Sequence, residues 1–471
     1  MKKALSILFL TAFLSMQSFA ATPVNALVID SGSDFTHTLL LPHANANVDE
    51  LNGMSGSDDD NNGYTDDVYG WNFAENSNVL VHLEYTPSNY DDILEFMKCM
   101  CKFQGGGKDA LSSTEFDFLK THYNDKEFMK KVNFYGEWSH GTHVAGIIGM
   151  NNDAVKLNAI AHIPVGTPPE SQMIEQLDWM ILNSRRNSRV AGTKVTMDQL
   201  ESYFRQMGQD NAQKVKKEAD YVASLNPRII NCSFGSSNSA LFNTFKKYMV
   251  EKWGFVNPSK EDVQKVVNLF VTNALLPRDK VLLGTQKKAL IFIAAGNSGE
   301  NNDNFVISPN NVPIENKIVV AATNDNKELA DFSCYGENTV DLAVPGVDIY
   351  STYPNNKEGY MSGTSMASPM AARFGSMTLA VCPSLTPLEL KKILMETVDK
   401  KSWLSGKVKS GGVINVKRAM KAAQLVANGE SIDEAISTAN SEISDMVIRS
   451  KFKKPVFHTA LEMEMYFSTL F

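Results

Sequence analysis

Apolar residues fall into two patterns along this chain. The run Ala26-Leu27-Val28-Ile29 is short and continuous, as in a strand buried on both faces of a parallel sheet. Elsewhere apolar positions recur at helical spacing. Leu200, Tyr203, Phe204 and Met207, followed by Ala212, Val215, Ala219 and Val222, form such a stripe. Thr196 and Gln199 stand at capping-box spacing before it, and Asn226-Pro227 stops it. Patterned stretches near 91–101 and 114–132, with Gly105-Gly106-Gly107 as a flexible joint between them, predict further helices. So do 238–288, punctuated by Pro258 and Pro277, and the segment from Ser431 to Arg449.

Two more helices are marked by small residues. Val144-Ala145-Gly146-Ile147-Ile148-Gly149 suits a helix packed tightly on a sheet, and places His140 in its first turn. Ala367, Ser368, Ala371, Ala372, Gly375 and Ser376 mark the other, with Thr364 as its N-cap. Ser365 then sits at a helix N-terminus, where backbone N–H groups and the positive dipole end favour a developing oxyanion. Asp30 closes the first strand, at the carboxyl edge where open α/β sheets hold their sites.

These placements converge on one chemistry. Val28-Ile29-Asp30-Ser31-Gly32, Ser139-His140-Gly141-Thr142-His143-Val144-Ala145-Gly146 and Gly363-Thr364-Ser365-Met366-Ala367-Ser368-Pro369 run in the order Asp, His, Ser. A serine hydroxyl is a weak nucleophile until an imidazole takes its proton and a buried carboxylate holds that imidazole. That chain order is the subtilisin type. The chain thus resembles the subtilisin-like serine proteases, the subtilase family, discontinuously over residues 24–425. The resemblance implies a three-layer α/β/α sandwich with a mainly parallel, doubly wound sheet and helical insertions near 75–137, 164–227 and 238–288. It implies a serine endopeptidase with Asp30, His140 and Ser365 as triad and no cofactor for catalysis. Asn297, in Ile291-Phe292-Ile293-Ala294-Ala295-Gly296-Asn297-Ser298-Gly299, matches the side-chain donor to the oxyanion. His143 matches the family's second, packing histidine, and Met370 stands where the family often has His.

Substrate recognition follows from the same resemblance. Ser233, Phe234 and Gly235 match one wall of the primary specificity pocket, and Ala294, Ala295 and Gly296 match the facing wall. Backbone groups there would hold an extended peptide as an added strand. Neither wall segment carries an acid, so an apolar or medium-sized side chain is expected in preference to Lys or Arg. Two other classes compete: a catalytically restrained or inactive binding protein on the same scaffold, and an esterase. The esterase elbow Gly-x-Ser-x-Gly is not matched, because Ala367 stands at its second glycine.

A second feature is acidic. Asp58, Asp60, Asn62 and Gly63 stand at the first, third, fifth and sixth positions of a calcium-binding loop pattern, but Tyr69 occupies the twelfth, where a bidentate Glu belongs. The stretch resembles the calcium loop of many subtilases, with Asp58, Asp60, Asn62, Tyr64 and Asp66 as candidate ligands of a structural calcium ion, Asp67 being the alternative to Asp66 in completing the shell.

Length and composition fit an ordinary globular enzyme: 471 residues, 43% hydrophobic and 21% charged, with a formal charge of −8. That acidity gives no electrostatic reason to bind nucleic acid. Lys2-Lys3, the apolar stretch Ala4 to Met16 and Ser18-Phe19-Ala20 read as a secretory leader over residues 1–20, too short to remain as a membrane anchor. Export to the periplasm or the extracellular space is expected, with protein or peptide substrates and a monomeric state. The catalytic domain is expected over 21–426. The family's secreted members commonly carry an N-terminal prodomain, whereas here only Ala21 to Ile29 would separate the leader from Asp30, so none is expected. The helical extension 427–471 reads as a docking pair, or alternatively as a restraining tail. Five cysteines leave at least one unpaired; Cys99 and Cys101 are too close to bridge without strain, and all five are read as structural.

Overall fold

The computed structural model describes residues 23–166, 195–324 and 328–446, together with 173–175, 178 and 181. The expected leader, part of the insertion near 164–227 and the chain beyond Met446 lie outside the described residues.

Ten strands form one sheet. In spatial order it runs β11 (Asp399–Lys400), β12 (Gly412–Val413), β8 (Leu342–Pro345), β6 (Lys317–Asn324), β5 (Leu290–Ala294), β4 (Ile229–Cys232), β1 (Val24–Asp30), β3 (Val155–Ala161) and β2 (Gly70–Asn72). A short β7 (Glu328–Leu329) pairs with β6, and β9 (Ile349–Tyr353) forms a separate hairpin with β10 (Lys357–Met361). All ladders of the large sheet are parallel except β11 with β12 and β6 with β7.

Burial explains why the strands read as continuous apolar runs. Ala26 and Val28 point into a core shared with Val144, Ile148, Ala371 and Ala372, while Leu27 and Ile29 point into another shared with Ala219, Val222, Leu282 and Leu283. The sheet is covered by helices on both faces, so alternate side chains on one strand are both buried. Each such Val, Leu or Ile contributes about 1.5–3 kcal/mol relative to exposure.

The sheet order also fixes where a site can form. From β1 the chain goes first to the edge strand β2, returns to insert β3 between the two, and then places β4 on the other side of β1. The carboxyl ends of β1 and β4 therefore flank a topological switch point, with Asp30 in register with Ala161 and Ile29 with Cys232. Asp30 and the chain leaving β4 open into the same crevice.

Several helices depart from expectation for identifiable reasons. The helix carrying His140 spans Lys126–Gly149, capped by the Asp125 carboxylate on the Glu127 and Phe128 amides. Phe128, Val132, Tyr135 and Trp138 extend its buried stripe upstream, so His140 lies well inside the helix and not in its first turn. The Thr364–Val381 helix is capped by Gly363, with Thr364 as its first residue. The stripe after Thr196 is two helices, Met197–Lys214 and Lys216–Ser224. The first packs Leu200, Phe204 and Met207 into a separate core with Phe245, Trp253 and Phe270, whereas the second turns Ala219 and Val222 onto the sheet. Gly105 and Gly106 are the last residues of the Tyr90–Gly106 helix, and Gly107, at φ +62°, ends it.

The described part of the C-terminal extension is docked. After the Val416–Ala427 helix, the Ile432–Glu442 helix ends where the Arg418 Nε donates to the Ile443 carbonyl at 2.7 Å. Arg418 also pairs with buried Asp399 at 3.1 Å and with Asp445 at 2.9 Å. All five cysteines are free and buried. Among the described residues no helix is long and apolar enough to cross a membrane.

Candidate active site

The Lys126–Gly149 helix reaches Asp30 because two glycines let the backbones touch. A Cβ on Gly141 would lie 2.1 Å from the Gly32 carbonyl oxygen. Polar groups then lock the approach: the Gly141 amide donates to Ser31 Oγ at 3.1 Å, Ser33 Oγ donates to the Gly141 carbonyl at 3.0 Å, and the Asp34 amide donates to Thr142 Oγ1 at 3.0 Å.

The result is a carboxylate–imidazole pair. His140 Nδ1 donates to Asp30 Oδ1 at 2.7 Å, and the Ser31 amide donates to the same oxygen at 2.8 Å. Asp30 is fully buried, so it orients the ring and stabilises its cationic form. Burial pulls the His140 pKa down, but the charge of Asp30, its hydrogen bond and the charge of Glu137 outweigh this and hold the imidazole above its ordinary value. His143, one turn on, is different. Burial, with the charge of His140, pushes it down to about 3, and its ring packs edge-on against Tyr353 at 5.3 Å. It is a neutral packing group.

Ser365 is the second residue of the Thr364–Val381 helix, so its amide belongs to the first turn and has no partner among the described residues. Pro369, four residues on, lacks the N–H that would bond the Ser365 carbonyl. Ser233 Oγ takes that role, donating to the carbonyl at 2.8 Å. Ser233 is itself held by Asn231 Nδ2 at 2.9 Å, and Ser368 Oγ donates to Asn231 Oδ1 at 2.7 Å. The Ser365 hydroxyl donates to the Ser233 carbonyl at 3.1 Å, a resting contact it must leave before giving its proton to His140.

Asn297 follows the end of β5. Its Oδ1 accepts the Thr364 amide at 2.9 Å and the Thr364 hydroxyl at 2.8 Å, and Thr364 Oγ1 in turn accepts the Gly296 amide at 3.1 Å. With the oxygen engaged, the Nδ2 end is left as a donor, and a Cβ on Gly363 would lie 3.4 Å from it and 3.6 Å from the Ser365 amide nitrogen. Two donors at one helix start form a site for an oxyanion.

One cavity of about 660 Å³ contains these groups. Asp30, His140, Asn297 and Ser365 line it, and so do all the expected wall residues, Ser233, Phe234, Gly235, Ala294, Ala295 and Gly296. Further lining residues escaped sequence reasoning: Ile307 and Asn310 beyond the oxyanion segment, Arg278 from an inserted helix, and Glu137 and His162 on the His140 side. Spacing to His140 could have flagged Glu137, three residues earlier on the same helix. Nothing local marks Arg278, which the Leu276–Gly284 helix delivers next to its partner Asp279 at 2.9 Å.

The acidic loop lies in another region. Glu50, Asp60 and Asp67 each place a carboxylate oxygen within 4.8 Å of the others. Asp58 accepts the amides of Asn62 at 3.0 Å and Gly63 at 2.9 Å, and Asp66 accepts the Gly56 amide at 2.8 Å. Asn62 Nδ2 donates to Asp60 at 2.9 Å and to Asp67 at 3.1 Å, while the Tyr64 ring packs against Trp71, Phe73 and Tyr221. The structure thus brings Asp60 together with Asp67, the alternative to Asp66, and with Glu50, which sequence reasoning had not named as a ligand. Burial pushes the Asp67 carboxyl up, partly offset by hydrogen bonds from Tyr221, Asn62 and Asn47. Glu50 also accepts the Asp59 amide at 2.7 Å and the Asp66 amide at 2.8 Å, and Asp60 accepts the Asn62 amide at 3.0 Å, so the three carboxylates that offer hard oxygen donors to a hard cation also hold the loop backbone.

A family model described as the subtilase family matches residues 27–419. Subtilisin-like protease 1 of Plasmodium vivax is 26% identical over 402 residues, covering 84% of this chain and 47% of that protein. The cell wall-associated protease of Bacillus subtilis (strain 168) is 42% identical over 118 residues, 25% of this chain and 12% of that protein. The crystal structure of a cold adapted subtilisin-like serine proteinase aligns over 85% of this chain and 91% of that one, with 18% identity and a TM-score of 0.43. The chain spans about half the length of the curated relatives it matches first.

Proposed function

We propose that this chain, which belongs to the subtilase family, is a serine endopeptidase acting through Asp30, His140 and Ser365. The observation that carries the reading is the His140–Asp30 pair at 2.7 Å in the same cavity as Ser365 and Asn297. His140 takes the Ser365 proton as Oγ attacks a peptide carbonyl carbon. The oxyanion accepts from Asn297 Nδ2 and the Ser365 amide, both fixed before substrate arrives. Collapse breaks the C–N bond, His140 protonates the departing amine, and water, deprotonated by His140, releases the acyl group.

The primary pocket takes an apolar or medium-sized side chain. Its wall segments, Ser233 to Gly235 and Ala294 to Gly296, carry no acid. The acidic loop holds a structural calcium ion through Glu50, Asp60 and Asp67, which pins the loop and takes no part in the chemistry. The leader pattern supports export.

Cleavage of casein and of fluorogenic peptides by wild type, abolished in Ser365→Ala, tests the reading. A folded wild type that cleaves none of them overturns it, and strict preference for Lys or Arg in the primary pocket overturns the apolar assignment.

A further inference from the structure

Glu137 stands one helical turn before His140, on the same side of the Lys126–Gly149 helix, and both line the substrate cavity. The Gly166 amide donates to its Oε2 at 2.8 Å, which fixes the carboxylate and leaves Oε1 for a ligand. Across from it, His162 follows directly on β3, its backbone amide donating to the Asp30 carbonyl at 2.8 Å. The His162 ring rests on Phe234 with centroids 5.3 Å apart, and its Nδ1 pairs with Glu218 Oε1 at 2.7 Å. Glu218 is 6% exposed, so a second carboxylate lies behind this wall.

The charge balance of the cavity is one-sided here. Beyond the His140–Asp30 pair, Glu137 and Asp331 line it, against the single Lys or Arg lining residue among those described, Arg278, which is paired with Asp279. Phe234 lines the cavity in the segment that the protease reading makes a wall of the primary pocket, and so of the acyl half of an extended substrate. The space bounded by His140, Glu137, His162 and Phe234 is therefore on the acyl side, beside the primary pocket. An extended peptide turns successive side chains to opposite sides, so this space meets the residue immediately before the one in the primary pocket.

We propose that Glu137 makes this neighbouring position a subsite for a cationic side chain, so that the enzyme selects peptides with Lys or Arg just before the residue in the primary pocket. Phe234 and the His162 ring cover the aliphatic stem, and Glu137 Oε1 accepts from the charged head. The inference rests on the protease reading above and adds a substrate class to it.

The test uses the full chain and a fluorogenic peptide series with Leu fixed in the primary position and Lys, Arg, Gln, Leu or Glu before it. Wild type should prefer Lys or Arg over Gln by about tenfold in kcat/KM, a preference that falls as salt is raised. Glu137→Gln keeps an acceptor for the Gly166 amide, and should reduce the Lys-to-Gln ratio to about two or less. Glu137→Lys should reverse it in favour of Glu. Each preparation is titrated with a serine-directed phosphonate. Labelled wild type with no cationic preference, or an unchanged ratio in labelled Glu137→Gln, overturns the subsite alone. Failure of wild type to be labelled overturns the protease reading, and this inference with it.

Discussion

Asn297 Oδ1 accepts two hydrogen bonds from Thr364, one from its amide at 2.9 Å and one from its hydroxyl at 2.8 Å. The residue before the nucleophile thus decides which end of the Asn297 amide faces the reacting carbonyl. Asn297→Ala removes the donor and should lower kcat by about a hundred- to a thousandfold with little change in KM. Thr364→Val keeps the shape but loses the hydroxyl, and should lower kcat by about tenfold. Steady-state kinetics on one peptide separates the two, and an equal loss in KM would place both residues in ground-state binding.

The His140 imidazole is held above its ordinary value, and the reaction needs it neutral. The acid limb of kcat/KM should therefore lie above about pH 6.5, the unperturbed histidine value. Glu137→Gln removes one of the charges that raise it, and should move that limb to lower pH. The sign for stability is opposite to that of a depressed acid. Stability from the protonated pair is fully present below the unfolded pKa, and is lost as pH rises through the folded one. A pH–rate profile of wild type beside Glu137→Gln checks the shift; coincident limbs contradict it.

Gly141 faces the Gly32 carbonyl so closely that a Cβ would stand 2.1 Å from its oxygen. Gly141→Ala must push the helix off the first strand. Because the contact is backbone to side chain, no rotamer relieves it, and a loss of about 1–3 kcal/mol is expected. Activity should fall by more than stability predicts, since His140 moves with the helix. Chemical denaturation and kinetics on the folded variant measure the two losses separately.

The acidic loop gives a prediction independent of catalysis. Calcium in excess of its dissociation constant should raise the melting temperature, and a chelator should lower it. The double change Asp60→Asn, Asp67→Asn should remove the calcium response. A melting temperature indifferent to calcium and chelator alike would assign Glu50, Asp60 and Asp67 to loop hydrogen bonding alone.

Much of the site could be read from the chain because its parts are local. Asp30 ends an apolar run, Ser365 opens a small-residue helix, and Asn297 follows closely on a strand, so each is visible in a few neighbouring residues. The position of His140 within its helix was not. The small-residue run after it looked like a beginning, whereas Phe128, Val132, Tyr135 and Trp138 carry the same buried face upstream. Glu50 and Asp67 meet Asp60 only through the folded loop, and Arg278 reaches the cavity from an inserted helix that packs Leu282 and Leu283 on the sheet. Those placements depend on contacts between distant segments, which short-range pattern cannot report.

The most direct measurement is a mass map of the full chain after reaction with a peptidyl phosphonate, beside hydrolysis of the parent peptide. The account predicts one adduct on Ser365, peptide hydrolysis lost in step with labelling, and neither reaction in Ser365→Ala. A folded wild type that takes no adduct, or takes it elsewhere while still cleaving peptide, would contradict it.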